Sequence, residues 1–139
     1  MARILGTKRA DSLDGTAEAD LIRGRAGDDT IFGREGDDRL YGDAGNDFIV
    51  DYDGRNEIYG GRGDDGLYFS RGFAYGGLGN DAIGVFGGGW GIGGKGDDLL
   101  YGSGAMYGDE APGMTERVAG NDHLIIFADA DTARGHGGL

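Results

Sequence analysis

The chain has 139 residues, 33 of them glycine, with one proline, no cysteine, and 25 acidic against 13 basic residues for a formal net charge of −12 at pH 7. The lack of cysteine excludes a disulfide framework, thiolate metal sites and cysteine catalysis, and the acidic balance argues against nucleic-acid binding driven by counterion release. No apolar run approaches the roughly 20 residues of a membrane-spanning helix, and residues 1–8 lack the apolar stretch of a cleavable signal peptide.

Taken in chain order, glycine and aspartate recur at an interval of nine. The first two units, residues 6–14 and 15–23, open with Gly-Thr and lack a glycine at position four, but keep Asp11 and Asp20 at position six. Three consecutive clear copies follow at 24–32, 33–41 and 42–50, then a weaker one at 51–59 and a strong one at 60–68, with later copies at 76–84 and 93–101. Glycines at positions one and four suit a tight six-residue loop. Positions seven to nine read as a short strand with its eighth residue inward, giving the column Leu13, Ile22, Ile31, Leu40, Ile49, Ile58, Leu67, Ile83 and Leu100. One aliphatic residue in nine matches neither an amphipathic helix nor an alternating strand. It matches a solenoid with a short strand and a loop in every half turn.

These copies resemble the RTX, or haemolysin-type, calcium-binding nonapeptide repeat, G-G-x-G-x-D-x-U-x, over about residues 6–126. The resemblance implies an all-β chain folded as a parallel β-roll, two short strands per turn, with calcium held between loops stacked one full turn apart. Each ion would take position-six carboxylates from two loops together with backbone carbonyls. The expected organisation is one roll over residues 1–127, an inserted loop at about 109–119 around Pro112, and a polar tail at 128–139. Two repeats per turn sort the loops onto two edges. The first edge carries Asp11, Asp29, Asp47, Asp65, Asp81, Asp98 and Asp122 at position six; the second carries Asp20, Asp38 and Asn56. Beyond Asn56 the second edge decays into shortened units at 69–75, 85–92 and 102–107, with Trp90 expected where an aspartate would stand. Hard oxygen ligands favour calcium, and no histidine or cysteine cluster favours zinc or copper. About six ions are expected on the first edge and about two on the second, with Asn56 offering a carbonyl oxygen to a weakened site. Ordering nine residues costs more than one buried aliphatic side chain returns, and an acidic edge repels itself until cations arrive. The chain is therefore expected to fold on calcium binding.

Positions seven and nine should face outward. On the sheet after the first edge they include Phe32, Phe48, Val50, Tyr68, Leu99 and Tyr101, an apolar surface that suits a protein partner or self-association. On the other sheet Arg23, Arg39, Tyr41, Tyr59 and Tyr75 suggest, as an alternative, an anionic-polysaccharide-binding module resembling the repeat modules of alginate epimerases. An ice-binding surface would need a regular Thr/Asn ladder, and only Thr7 and Thr16 begin one. No His-Glu-x-x-His or G-x-S-x-G motif is present, and Ser12, Ser70 and Ser103 have no nearby histidine, so no catalysis is expected. The resemblance implies a bacterial protein secreted to the extracellular space or cell surface by a type I-like route, and a structural or interaction role.

Overall fold

The computed structural model describes residues 1–108 and, as strands alone, 123–126 and 133–134. The short strands predicted by the repeat fall alternately into two sheets in which every pairing is parallel. The broader sheet stacks Arg3–Leu5, Leu21–Ala26, Arg39–Ala44, Asn56–Arg62, Gly72–Leu78, Trp90–Lys95, Ala105–Tyr107 and Ala133–Arg134. The narrower one stacks Ser12–Asp14, Thr30–Phe32, Phe48–Asp51, Gly66–Phe69, Ala82–Val85, Leu99–Gly102 and His123–Ile126. This is the all-β parallel roll expected from the repeat. The strand Ala133–Arg134, in what the sequence reads as a tail, continues the broader sheet by pairing with Met106–Tyr107.

The core is two facing files of side chains. Ile22, Leu40 and Ile58 stack in register on one sheet; Leu13, Ile31, Ile49, Leu67, Ile83 and Leu100 stack on the other. All nine predicted inward residues are buried, eight of them completely. With so thin a core, no neighbour can collapse into a gap. Ile58→Ala is expected to cost about 2–5 kcal/mol, read as a lowered urea midpoint in saturating calcium.

Glycine plays different roles at different loop positions. Position four lies in the left-handed region, as at Gly27 (φ 104°) and Gly45 (φ 132°). Position two does so as well, and three loops place a side chain there: Arg25 (φ 85°), Arg34 (φ 82°) and Asp43 (φ 77°). Such backbone costs a non-glycine residue of order 1 kcal/mol. Two of the three residues make ion pairs across the turn, Arg34 with Asp14 and Asp43 with Arg23, each at 2.7 Å. In the loops that carry an acid at position six, the position-one glycine is not among the positive-φ glycines; it answers to space, as the loops show below.

Where the second edge decays, the roll changes its filling. The register Asp51↔Phe69↔Val85 places two large apolar side chains, both fully buried, in the position-one column. The broader sheet opposite shrinks to match, with Ala74 and Gly91 following Ile58. A Cβ on Gly91 would stand 3.0 Å from Ile83 and 3.1 Å from Val85. The expected placement of Trp90 is corrected here. Trp90 pairs with Phe73, and Phe73 with Glu57, so Trp90 occupies outward position seven, and glycines hold position six in the clipped loops. Packing of Phe69 beneath Gly89, where a Cβ would stand 2.5 Å from the ring, sets that register.

Candidate metal centre

The position-six carboxylates of the first edge form a one-way ladder. The backbone N–H of Asp11 donates to Asp29 Oδ1, that of Asp29 to Asp47, Asp47 to Asp65, Asp65 to Asp81, and Asp81 to Asp98, each at 2.8 Å. Each Oδ1 thereby ties one turn to the turn before it. The second oxygen is left over. Oδ2 of Asp29, Asp47, Asp65 and Asp81 is buried and accepts no hydrogen bond. These oxygens lean over the position-one glycine of their own loop, where the position-one carbonyl of the next turn also arrives. At Gly42 an added Cβ would collide with Asp47 Oδ2 and stand 2.6 Å from Gly60 O; at Gly60 and Gly76 the arrangement repeats with Asp65 and Asp81. Glycine is required at position one because two oxygens already fill the space.

The electrostatics follow from burial. Desolvation pushes the carboxyls of Asp47 and Asp81 up to about 6 and that of Asp65 up to about 8, with neighbouring carboxylates adding to the rise and one backbone N–H opposing it. Asp29 moves the same way for the same reason. A buried carboxylate without a donor must take up either a proton or a cation. Hard carboxylate and carbonyl oxygens converging over the position-one glycine suit calcium, which takes six to eight such ligands in adaptable geometry. Among the described residues no three His, Cys, Asp or Glu side chains gather at one point, so backbone carbonyls must supply much of any coordination shell.

The two N-terminal loops are built differently. Thr7 and Thr16 each donate a backbone N–H and a hydroxyl to the Oδ2 of Asp11 and Asp20 respectively. Burial acts to raise the Asp20 carboxyl, but the donors from Ala2 and Thr16 prevail and hold it below the usual range. The oxygen that is orphaned in later loops is thus satisfied here by threonine, a function for the Gly-Thr openings that the sequence analysis missed.

Position five carries a second ladder that it also missed. Asn46 N–H donates to Asp28 Oδ1, Asp64 to Asn46, Asn80 to Asp64 and Asp97 to Asn80, at 2.8–2.9 Å. This ladder runs opposite in sense to the first, and its alternation of Asp with Asn keeps like charges two turns apart. The signal lies in column five of the aligned copies.

On the second edge, Asp20 N–H donates to Asp38 Oδ1 at 2.7 Å and Asp38 N–H to Asn56 Oδ1 at 2.9 Å. Asn56 keeps the ladder but turns its amide nitrogen inward, donating to Asp53 O at 2.8 Å. The oxygen expected to serve a weakened ion site is therefore the one engaged by Asp38. Asp51 enters from position one, 2% exposed, with no close hydrogen-bond partner for either oxygen; burial first, then the facing Asp38 carboxyl, pushes its carboxyl up to about 8, against weaker help from the Asp53 N–H and the Asn56 amide. Asp122 and the 109–119 loop lie outside the described residues.

The outer faces are also in place. Phe48, Tyr68, Tyr101, Phe86 and Tyr52 form a continuous aromatic chain with ring centroids 5.3–6.3 Å apart, and Phe48, Tyr52, Phe86 and Leu99 are exposed. Phe32 and Val50 are half-buried beside them. On the opposite sheet the arginines are engaged by acids: Arg39 bonds Glu57 at 3.0 Å, while Arg23 bonds Asp43 and lies over the Tyr41 ring. Tyr41 stacks on Tyr59 at 5.0 Å. No helix of the described residues is long and apolar enough to cross a membrane.

A family model for the RTX calcium-binding nonapeptide repeat, four copies long, matches residues 5–40, 41–73 and 83–105. No curated protein and no solved structure matches the chain significantly.

Proposed function

The chain belongs to the RTX calcium-binding nonapeptide-repeat family, and on that premise we propose that its first edge is a calcium ladder whose loading completes the fold. The observation that carries this reading is the file of buried, donor-less Oδ2 atoms on Asp29, Asp47, Asp65 and Asp81. By their place in the repeat, Asp98 and Asp122 are the further position-six ligands of this edge, and Asp38 is the counterpart on the second. Calcium, when bound, supplies the positive charge these oxygens lack. The protein's own residues do the rest: position-one glycines leave the space, Oδ1 atoms hold adjacent turns in register, and position-four glycines bend the loop. Asp11 and Asp20, whose Oδ2 atoms are held by threonine, close the N-terminal end of each ladder.

The roll so formed serves as a structural and interaction module, presenting the aromatic face around Phe48, Tyr68, Leu99 and Tyr101. RTX repeats are typical of secreted bacterial proteins, and calcium-rich surroundings outside the cell would load the ladder. Far-UV circular dichroism of the chelated protein during calcium titration tests the reading, with magnesium as control. A cooperative coil-to-β transition with calcium alone is expected, because folding and binding are one equilibrium when the site exists only in the folded state. A full β spectrum in chelator, unchanged by calcium, would refute it.

A further inference from the structure

We propose that Asp51 and Asp38 form a cation site of their own on the second edge, at the turn where ion-bearing loops give way to an apolar filling. This inference rests on the calcium-binding reading above and adds to it a ligand outside the repeat pattern. Position one is glycine in every described loop that carries an acid at position six, namely those opening at Gly6, Gly15, Gly24, Gly33, Gly42, Gly60, Gly76 and Gly93. In the loop that begins at residue 51 it is aspartate, and the side chain points inward.

Asp51 reaches the same point as the Asp38 carboxylate. A Cβ on Gly33 would collide with Asp51 Oδ2 and stand 2.8 Å from Asp38 Oδ2. On the first edge, and at Gly15, that neighbour is instead the position-one carbonyl of the next turn. Asp51 therefore brings a full carboxylate where the rest of the roll brings a peptide oxygen. Both residues are at most 2% exposed, and Asp38 Oδ2 and both Asp51 oxygens have no close hydrogen-bond donor. Two bare carboxylates facing each other away from water are strongly unfavourable, and a divalent cation between them resolves both the repulsion and the missing coordination. One turn further on, the same column holds Phe69 and then Val85, so no further ion can be accepted in that direction. Asp51 is the last ligand the second edge can offer. The site carries two formal negative charges from adjacent turns, which favours a small, highly charged ion such as calcium or a trivalent lanthanide.

Calcium content of gel-filtered wild-type and Asp51→Asn protein, measured by plasma mass spectrometry in chelator-treated buffer, tests the proposal. One calcium fewer in the variant, with the calcium-induced β spectrum retained, is the expected result. An equal count in the two proteins overturns it, and means that the carboxyls share a proton instead of an ion. A wild type that holds no calcium overturns both this proposal and the reading beneath it, whereas a loaded wild type with an equal count in the variant overturns this proposal alone. Should the variant fail to fold, terbium-soaked crystals of the wild type decide. An anomalous peak between the Asp38 and Asp51 carboxylates supports the site; peaks along the first edge with none there overturn it.

Discussion

Replacing Gly42 by alanine is expected to destabilise the calcium-loaded roll by about 3 kcal/mol or more, while Gly88→Ala leaves it within about 0.5 kcal/mol of wild type. The contrast isolates space from chain entropy, because both substitutions add the same methyl group. At Gly42 that methyl collides with Asp47 Oδ2 and meets Gly60 O at 2.6 Å; at Gly88 there is nothing within 4 Å. Gly60 O is backbone, fixed by the sheet, so Asp47 must yield. Moving Asp47 breaks the bond from Asp29 N–H to its Oδ1, leaves a buried donor unsatisfied, and removes the orphaned oxygen proposed to bind the ion. The calcium midpoint by circular dichroism should therefore rise, and the urea midpoint at saturating calcium should fall with it. A Gly42→Ala protein as stable as Gly88→Ala would show that position one is not held to glycine by the carboxylate above it.

Acidification of the metal-free protein is expected to favour β structure, and a return to alkaline pH to remove it. The carboxyls of Asp47, Asp65 and Asp81 stand at about 6, 8 and 6 in the roll against about 3.9 in an unfolded chain. Groups raised in this way bind more protons folded than unfolded. Their stabilising contribution is complete below about pH 4 and is lost as pH climbs through about 6 and then 8. Asp20, held low, contributes in the opposite sense, but it is one group against several, and the fall in net negative charge on acidification acts with the majority. Calcium reverses the dependence: it displaces the protons, so binding should release acid into a weakly buffered solution, and the calcium midpoint should rise as pH falls. Circular dichroism in chelator between pH 8 and pH 4.5 checks the first statement. More β structure at pH 8 than at pH 4.5 would contradict it.

Much of this was legible in the sequence because the repeat is local and regular. Nine residues specify one strand and one loop, two copies specify one turn, and stacking turns brings like positions together. Hence Ile22, Leu40 and Ile58 fall into one buried file, and Asp29, Asp47, Asp65 and Asp81 into one carboxylate file. Counting by nine failed where the period itself failed. In the clipped units Trp90 was displaced by one position, because the register there is set by Phe69 and Val85 packing into the edge.

The amino-acid sequence by itself determined the parallel roll, its inward aliphatic column and the position-six acids, since each depends only on spacing that every copy repeats. The tertiary structure decided what each acid does. Whether an Oδ2 is satisfied, as at Asp11 and Asp20, or orphaned, as at Asp47 and Asp65, depends on the residue that arrives beside it. For Asp38 that neighbour is Asp51, thirteen residues on at the first position of an otherwise weak copy, and their meeting depends on the stacking of one turn upon the next.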